Sequence, residues 1–307
     1  MTTAVLTKRL FTWSLAAHGF LSACTKHTGA ETSPPASTAP LTLGPPHQLP
    51  AQLKESSGLC YTDGALWSFG DSGNPNAIYK IDTATGAILQ TIIIANYPNS
   101  DWEDITADAS YIYIGDTGNN DGDRTDLKIL RIKKSDIPAG AGVISVTAEA
   151  IHFSYTDQLD LSSNSNTNFD CEALVSIGDS LYLFTKDRGD LQTRCYHLSR
   201  DPGTYALSPV ASFNTMGKIT DATYDPATRT LALLGYMDKK NDSFIWFFKN
   251  YQGDNFFKGD TARYTIASRS SDWQTEGLAY LSAGTMFLSC ESTPTHPAAL
   301  YTIKINK

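Results

Sequence analysis

Positive charge, histidine and long apolar runs are all scarce in this chain. Lys and Arg number 24 against 32 Asp and Glu, a net charge of −8. Phosphate recognition needs Lys and Arg clustered on one face, so this balance argues against a nucleic-acid partner. Of six histidines, His152, His197 and His296 fall in the large C-terminal body, with no spacing suited to a shared metal. The five cysteines contain no Cys-x-x-Cys pair, which removes the usual zinc and redox motifs. Beyond residue 24 no apolar stretch approaches the roughly 20 residues of a membrane-spanning helix.

The N-terminus is of another kind. Lys8 and Arg9 precede an apolar run from Leu10 to Leu21, broken by His18, which ends in Leu21-Ser22-Ala23-Cys24. A basic start, a short apolar run and small residues before a cut describe a secretory signal. Leu-Ser-Ala-Cys also resembles the bacterial lipobox. That resemblance implies removal of residues 1–23 and lipid on Cys24, with acyl chains enough for a stable membrane anchor. Residues 24–50 carry Pro34, Pro35, Pro40, Pro45, Pro46 and Pro50 among Ser, Thr, Ala and Gly, the composition of an extended tether. Thr25, rather than Asp, follows the cysteine, which leans toward the outer membrane or the periplasmic face.

Residues 51–307 form the folded part, rich in aromatic and β-branched residues punctuated by glycine, a mix suited to strands and turns. Cys60, Cys171, Cys195 and Cys290 can pair in three ways in an oxidising compartment. One phrase recurs five times. Ser57-Gly58-Leu59 precedes Leu66–Gly70; Glu103-Asp104-Ile105 precedes Ile112–Gly115; Glu172-Ala173-Leu174 precedes Leu181–Phe184; Asp221-Ala222-Thr223 precedes Leu231–Leu234; Glu276-Gly277-Leu278 precedes Met286–Leu288. A third strand follows each pair, and a fourth follows in four units, such as Ile88–Ile94 and Ala150–Tyr155. Four strands per forty to fifty residues mark propeller blades. The expected fold is all-β: a five-bladed propeller, with six blades an alternative hidden in the long gap between Glu103 and Glu172. The last unit ends after three strands, so Leu41–Leu49 is expected to close the ring.

In a propeller the first strand of each blade lines the central channel. The repeat therefore gathers Ser57, Glu103, Glu172, Asp221 and Glu276 at one mouth, with Asp71, Asp116, Asp187, Asp238 and Glu291 as a wider ring. Carboxylates that converge raise one another's pKa or recruit a cation. Oxygen-only donors in a flexible ring suit Ca²⁺.

The phrases Ser57-Gly58-Leu59 with Leu66–Asn74, and Asp101–Ile105 with Ile112–Asn120, resemble the opening of a group of uncharacterised bacterial exported propellers, loosely associated with phytase-like and quorum-regulated propeller proteins. The order of channel residues is more distantly similar to the calcium-activated nucleotidases (apyrases). Those are five-bladed propellers holding an axial calcium ion through Ser and Glu of successive blades. On that pattern Ser57, Glu103, Glu172 and Glu276 match, and the fourth blade matches loosely at Thr220 or Asp221. The nucleotide side does not match: only Lys186 and Arg188, with Arg124 and Lys239, are placed to meet phosphate.

The leading expectation is a lipid-anchored, calcium-binding propeller that acts as a binding module for a protein or small-molecule ligand at its acidic face. The alternative is calcium-dependent hydrolysis of a phosphate or other ester, with Glu103 or Glu172 as base and Lys186 and Arg188 stabilising developing charge.

Overall fold

The computed structural model of the chain describes residues 41–237, 242–267 and 273–306. The signal segment and Cys24 lie outside the described residues, as do Asp238 and Lys239. Two short strands come first, β1 (Leu41–Leu43) and β2 (His47–Gln48). Blade one follows as β3 (Ser56–Thr62), β4 (Ala65–Gly70), β5 (Ala77–Ile81) and β6 (Ile88–Ile94). Asp63 and Gly64 join β3 to β4 with φ of 51° and 73°, the left-handed pair that a two-residue hairpin turn requires and that Asp-Gly adopts most readily.

Blade two begins with β7 (Trp102–Ala107), β8 (Tyr111–Asp116) and β9 (Lys128–Lys133). The chain then leaves as β10 (Gly142–Val146), which lies parallel to β6 on the outer edge of blade one, and returns as β11 (Glu149–Tyr155) to complete blade two. Blade three repeats the excursion. After β12 (Cys171–Ile177), β13 (Ser180–Thr185) and β14 (Thr193–Ser199), strand β15 (Gly203–Leu207) runs parallel to β11 on the edge of blade two, and β16 (Ala211–Phe213) completes blade three. Each excursion covers an edge that would otherwise offer unpaired backbone groups. The first of them, with the loop between Tyr155 and Cys171, fills the long gap between Glu103 and Glu172, so there is no sixth blade.

Blade four is β17 (Lys218–Asp225), β18 (Thr230–Tyr236), β19 (Ser243–Lys249) and β20 (Asp260–Ala267). Blade five is β21 (Thr275–Ser282), β22 (Thr285–Cys290) and β23 (Ala299–Ile305), completed by β1, whose Leu41 stands opposite Ile305. The two ends of the described chain therefore close the ring, with β1 supplied by the segment ahead of residue 51.

Five apolar clusters, one between each pair of adjacent blades, hold the ring together. Trp67, Phe69, Ile114 and Leu130 pack blade one on blade two; Tyr113, Ile151, Leu174 and Leu183 pack two on three. Phe184, Leu233 and Trp246 pack three on four, Leu234, Leu278 and Leu288 pack four on five, and Leu59, Ala279 and Leu300 join five to one. Each fully buried side chain of this size contributes about 1.5–3 kcal/mol, so these interfaces carry much of the stability. Cys60, Cys195, Cys171 and Cys290 are all free, and each lies in a different cluster, which is why no pair of them meets.

Candidate metal centre at one mouth of the channel

The same irregularity recurs in all five blades. Where the innermost strand enters its sheet, the register against the second strand slips, at Ser56/Leu59, Trp102/Asp104, Cys171/Ala173, Ile219/Asp221 and Thr275/Gly277. A bulge puts one extra residue on the inner strand, bends it and re-aims a side chain. The residues at these bulges are Ser57, Glu103, Glu172, Thr220 and Glu276. The recurring phrase of the sequence is thus a recurring bulge at the channel mouth.

Four of the five expected mouth residues meet. Ser57, Glu103, Glu172 and Glu276 line one polar cavity of about 210 Å³. Asp221 does not join them. The bulge residue of blade four is Thr220, whose hydroxyl donates to the Thr275 carbonyl at 2.9 Å, while Asp221 lies one residue deeper along the channel. Blade four instead contributes Tyr236, from the end of β18, to the cavity.

The wider ring divides. Asp71 and Glu291 line the cavity. Asp116 is held by Arg124 and Lys128, each at 2.9 Å, and Asp187 pairs with Arg194, so both serve the framework of their own blades. Arg124 is thereby committed to Asp116 and Asp126.

Two further acids stand two residues before a bulge. Asp101 brings a carboxylate oxygen within 4.8 Å of those of Asp71 and Glu103, and Asp170 does the same with Glu103 and Glu172. Glu103 belongs to both groups and is the hinge of the cluster. The sequence carried a signal for this pair: Asp101-Trp102-Glu103 and Asp170-Cys171-Glu172 are the same Asp-x-Glu phrase, with Gln274-Thr275-Glu276 a third version. Asn120 and Gln274 add amide oxygens to the cavity lining.

The partners of these acids differ. Lys186 is ion-paired with Glu172. Arg188 donates to Asp170 at 2.7 and 3.0 Å and to the Asn120 side-chain oxygen, and stands 3.5 Å from Glu172. The side-chain carboxylates of Glu103 and Glu276, residues each only 7% exposed, receive no hydrogen bond from any described residue. Ser57 spends its hydroxyl proton on the Glu103 carbonyl at 2.6 Å, which leaves its oxygen lone pairs available.

Five carboxylates face two cations in this cavity, and both cations are already paired. Burial, and then the charges of Glu172, Asp71, Asp170 and Asp101, push Glu103 well above the usual carboxylate range. Burial raises Glu172 to about 8 against the opposing pull of Lys186. Glu291 rises to about 7 and Asp101 to about 6, in both cases by burial and then by the nearby Asp71 charge. Lys186 is opposed by burial but held protonated by Glu172, Tyr236 and Glu276. Acids in this state take up either protons or a metal ion. The donors on offer are carboxylate, amide and hydroxyl oxygens, with no His or Cys among the lining residues, which is the chemistry of a hard cation such as Ca²⁺.

No family model matches the chain, and no curated protein matches its sequence. Solved structures resemble it at low identity. A hydrazine synthase chain of Kuenenia stuttgartiensis is 12% identical with a TM-score of 0.42; the match covers 85% of this chain and 65% of that one, so this chain spans less than two thirds of its length. A Thermus thermophilus protein described as an oxidoreductase (glucose dehydrogenase) is 10% identical over 85% of this chain and 100% of that one, with a TM-score of 0.41. A Dyadobacter fermentans protein of unknown function is 12% identical over 81% and 76%, with a TM-score of 0.44. Likenesses this distant carry no function across. The chain is a five-bladed β-propeller with an acidic channel mouth, and its function has to be sought in the chemistry of that mouth.

Proposed function

We propose that this chain is a cell-envelope lipoprotein whose propeller binds calcium at the acidic mouth and presents that face to a protein or small-molecule ligand. The observation that carries the metal reading is Glu103: a buried carboxylate with no donor among the described residues, flanked by Asp71 and Asp101 on one side and by Asp170 and Glu172 on the other. A buried, unpaired charge costs several kcal/mol, and a divalent cation removes that cost where extra donors are lacking. Ser57, Glu103, Glu172 and Glu276 remain the proposed ligands from the inner strands, with Asp71, Asp101 and Asp170 beside them; Asp221 leaves the set. Calcium is favoured over magnesium because the donors are oxygens from separate blades and Ca²⁺ accepts six to eight of them in flexible geometry, where Mg²⁺ demands a near-ideal octahedron.

Binding is favoured over ester hydrolysis by the state of the two cations. A phosphohydrolase needs positive charge free to meet the substrate, whereas Lys186 and Arg188 are engaged by Glu172, Asp170 and Asn120. Thermal melting of the full chain in chelator, in calcium and in magnesium tests the metal, with calcium expected to raise Tm most. Nucleotides, phytate and simple phosphate esters are then offered to the calcium-loaded protein; turnover that is lost in Lys186→Ala and Arg188→Ala would replace the binding reading with hydrolysis. The anchor is tested separately, since Cys24→Ala should move the protein from the membrane fraction to the soluble one.

A further inference from the structure

The inner strand of a propeller blade is paired on one side only. Its other edge faces the channel, and the N–H groups on that edge need partners as any buried donor does. One residue below the mouth, those partners are unusual. The residue after each bulge pair is Leu59, Ile105, Leu174, Ala222 or Leu278, at the equivalent place in all five blades. All five backbone N–H groups donate to only two carboxylates. Asp221 Oδ2 accepts from Leu59 at 3.3 Å and from Leu278 at 2.8 Å. Asp104 Oδ1 accepts from Ile105 at 2.6 Å, and its Oδ2 accepts from Leu174 at 2.5 Å and Ala222 at 3.4 Å.

The sequence makes room for this. The five residues of the layer are Gly58, Asp104, Ala173, Asp221 and Gly277, so two acids alternate with three residues that have little or no side chain. A Cβ at Gly58 would fall 2.5 Å from Asp104 Oδ1, so even alanine does not fit there without displacing the carboxylate. Both acids are sealed from solvent, and Asp221 Oδ1 is buried with no donor among the described residues. Five N–H dipoles directed at two carboxylates on the axis form a nest for negative charge. The acids here are the converse of those at the mouth, because three of their four oxygens already have backbone donors with which a cation would compete.

We propose that the propeller axis holds a carboxylate-binding site built from one backbone N–H of each blade, with Asp104 and Asp221 as its resident ligands, supplied by the chain itself. A small free carboxylate, formate or acetate, is the chemical class that would enter if one resident were removed. The path in is the opposite mouth, a cavity of about 110 Å³ whose walls include Leu59, Ile105 and Ala222, three of the five donor-bearing residues. The site is independent of the proposed metal, which sits at the other mouth.

Chemical rescue tests it. In the full chain, Asp221→Ala should lower Tm by about 5 °C or more in chloride, since two buried donors lose their acceptor. Formate in place of chloride at equal ionic strength should restore at least half of that loss, in proportion to the logarithm of its concentration. Wild type, and Asp187→Ala as a buried carboxylate deleted away from the axis, should gain nothing beyond the general salt effect. Calcium should not substitute for formate. If the alanine variant does not fold in chloride, refolding from denaturant becomes the readout: folded protein in formate but not in chloride supports the site, and aggregation in both salts counts against it. A variant as stable as wild type, or a formate shift no larger than that of Asp187→Ala, overturns the proposal.

Discussion

Glu103 and Asp104 are neighbours in the chain, and the fold treats their carboxylates in opposite ways. Glu103 projects into the mouth, where it has four acids around it and no side-chain donor among the described residues; Asp104 projects across the axis, where three backbone N–H groups reach it. Burial raises the pKa of both, and in both a further acid adds to the shift, Glu172 for the first and Asp221 for the second. Raised pKa values therefore do not by themselves mark a metal site. The donors decide. A carboxylate such as Asp104, both of whose oxygens accept from backbone N–H groups, is part of the framework, and one such as Glu103, with no donor among the described residues, is arranged for something those residues do not provide.

That comparison makes its strongest prediction in the lower layer. Asp104→Ala leaves three buried N–H groups without an acceptor and should cost about 3 kcal/mol or more in urea unfolding, at roughly 1–3 kcal/mol per orphaned group. A loss below about 1 kcal/mol would erase the distinction between the layers. In the upper layer the sign reverses. Glu103→Gln removes a charge from a crowd of like charges, so the metal-free protein should be as stable as wild type or more so, while the calcium-dependent gain, about 2.7 kcal/mol at a hundredfold excess over Kd, should largely disappear. A Glu103→Gln protein that melts earlier than wild type in chelator would place Glu103 in the framework with Asp104.

The pH dependence sharpens the same point at intermediate size. Glu172, Glu291 and Asp101 rise to about 8, about 7 and about 6. The folded state therefore holds protons that the unfolded chain has already released. Stability of the metal-free protein should fall as pH rises from about 5 to about 8, through those raised values, at up to about 1.4 kcal/mol per pH unit for each proton of difference. Calcium displaces the protons and should flatten the slope, so its stabilising effect should grow over the same range. Melting curves at three pH values, with chelator and with calcium, check this; parallel curves would contradict it. The smallest effect belongs to Ser57→Ala, which loses one hydrogen bond to the Glu103 carbonyl, worth about 1 kcal/mol, and one oxygen donor. It should weaken calcium binding without abolishing it.

Much of this architecture was legible in the sequence because a propeller writes each blade twice over, once as a strand pattern and once as the phrase at its mouth. The five units, the closing strand at Leu41 and the convergence of Ser57, Glu103, Glu172 and Glu276 all follow from that redundancy. Blade four defeated the same reasoning for a local cause. Its first hairpin turns through the four residues between Asp225 and Thr230, where blade one needs only Asp63 and Gly64 between Thr62 and Ala65. That longer turn breaks the constant nine-residue spacing of the first three blades, so the sequence matches blade four only loosely, at Thr220 or Asp221, and the bulge falls at Thr220. The slip matters because neighbouring residues on an inner strand face different levels of the channel. Asp101 and Asp170 were missed for another reason: they lie outside the strands, two positions before the bulge residue, and only the folded chain brings their carboxylates beside that of Glu103. The commitment of Lys186 and Arg188 to acids of blade three was not legible at all, because ion pairing depends on side-chain placement that no spacing encodes.

The central claim is that the upper layer is unfinished without a divalent cation. Isothermal titration of calcium into the chelator-treated full chain tests it most directly. The account predicts saturable binding near neutral pH, tighter than magnesium, accompanied by proton release, and reduced at least tenfold in Glu103→Gln while the variant stays folded. Absence of binding by folded wild-type protein, or equal binding by wild type and Glu103→Gln, would contradict it.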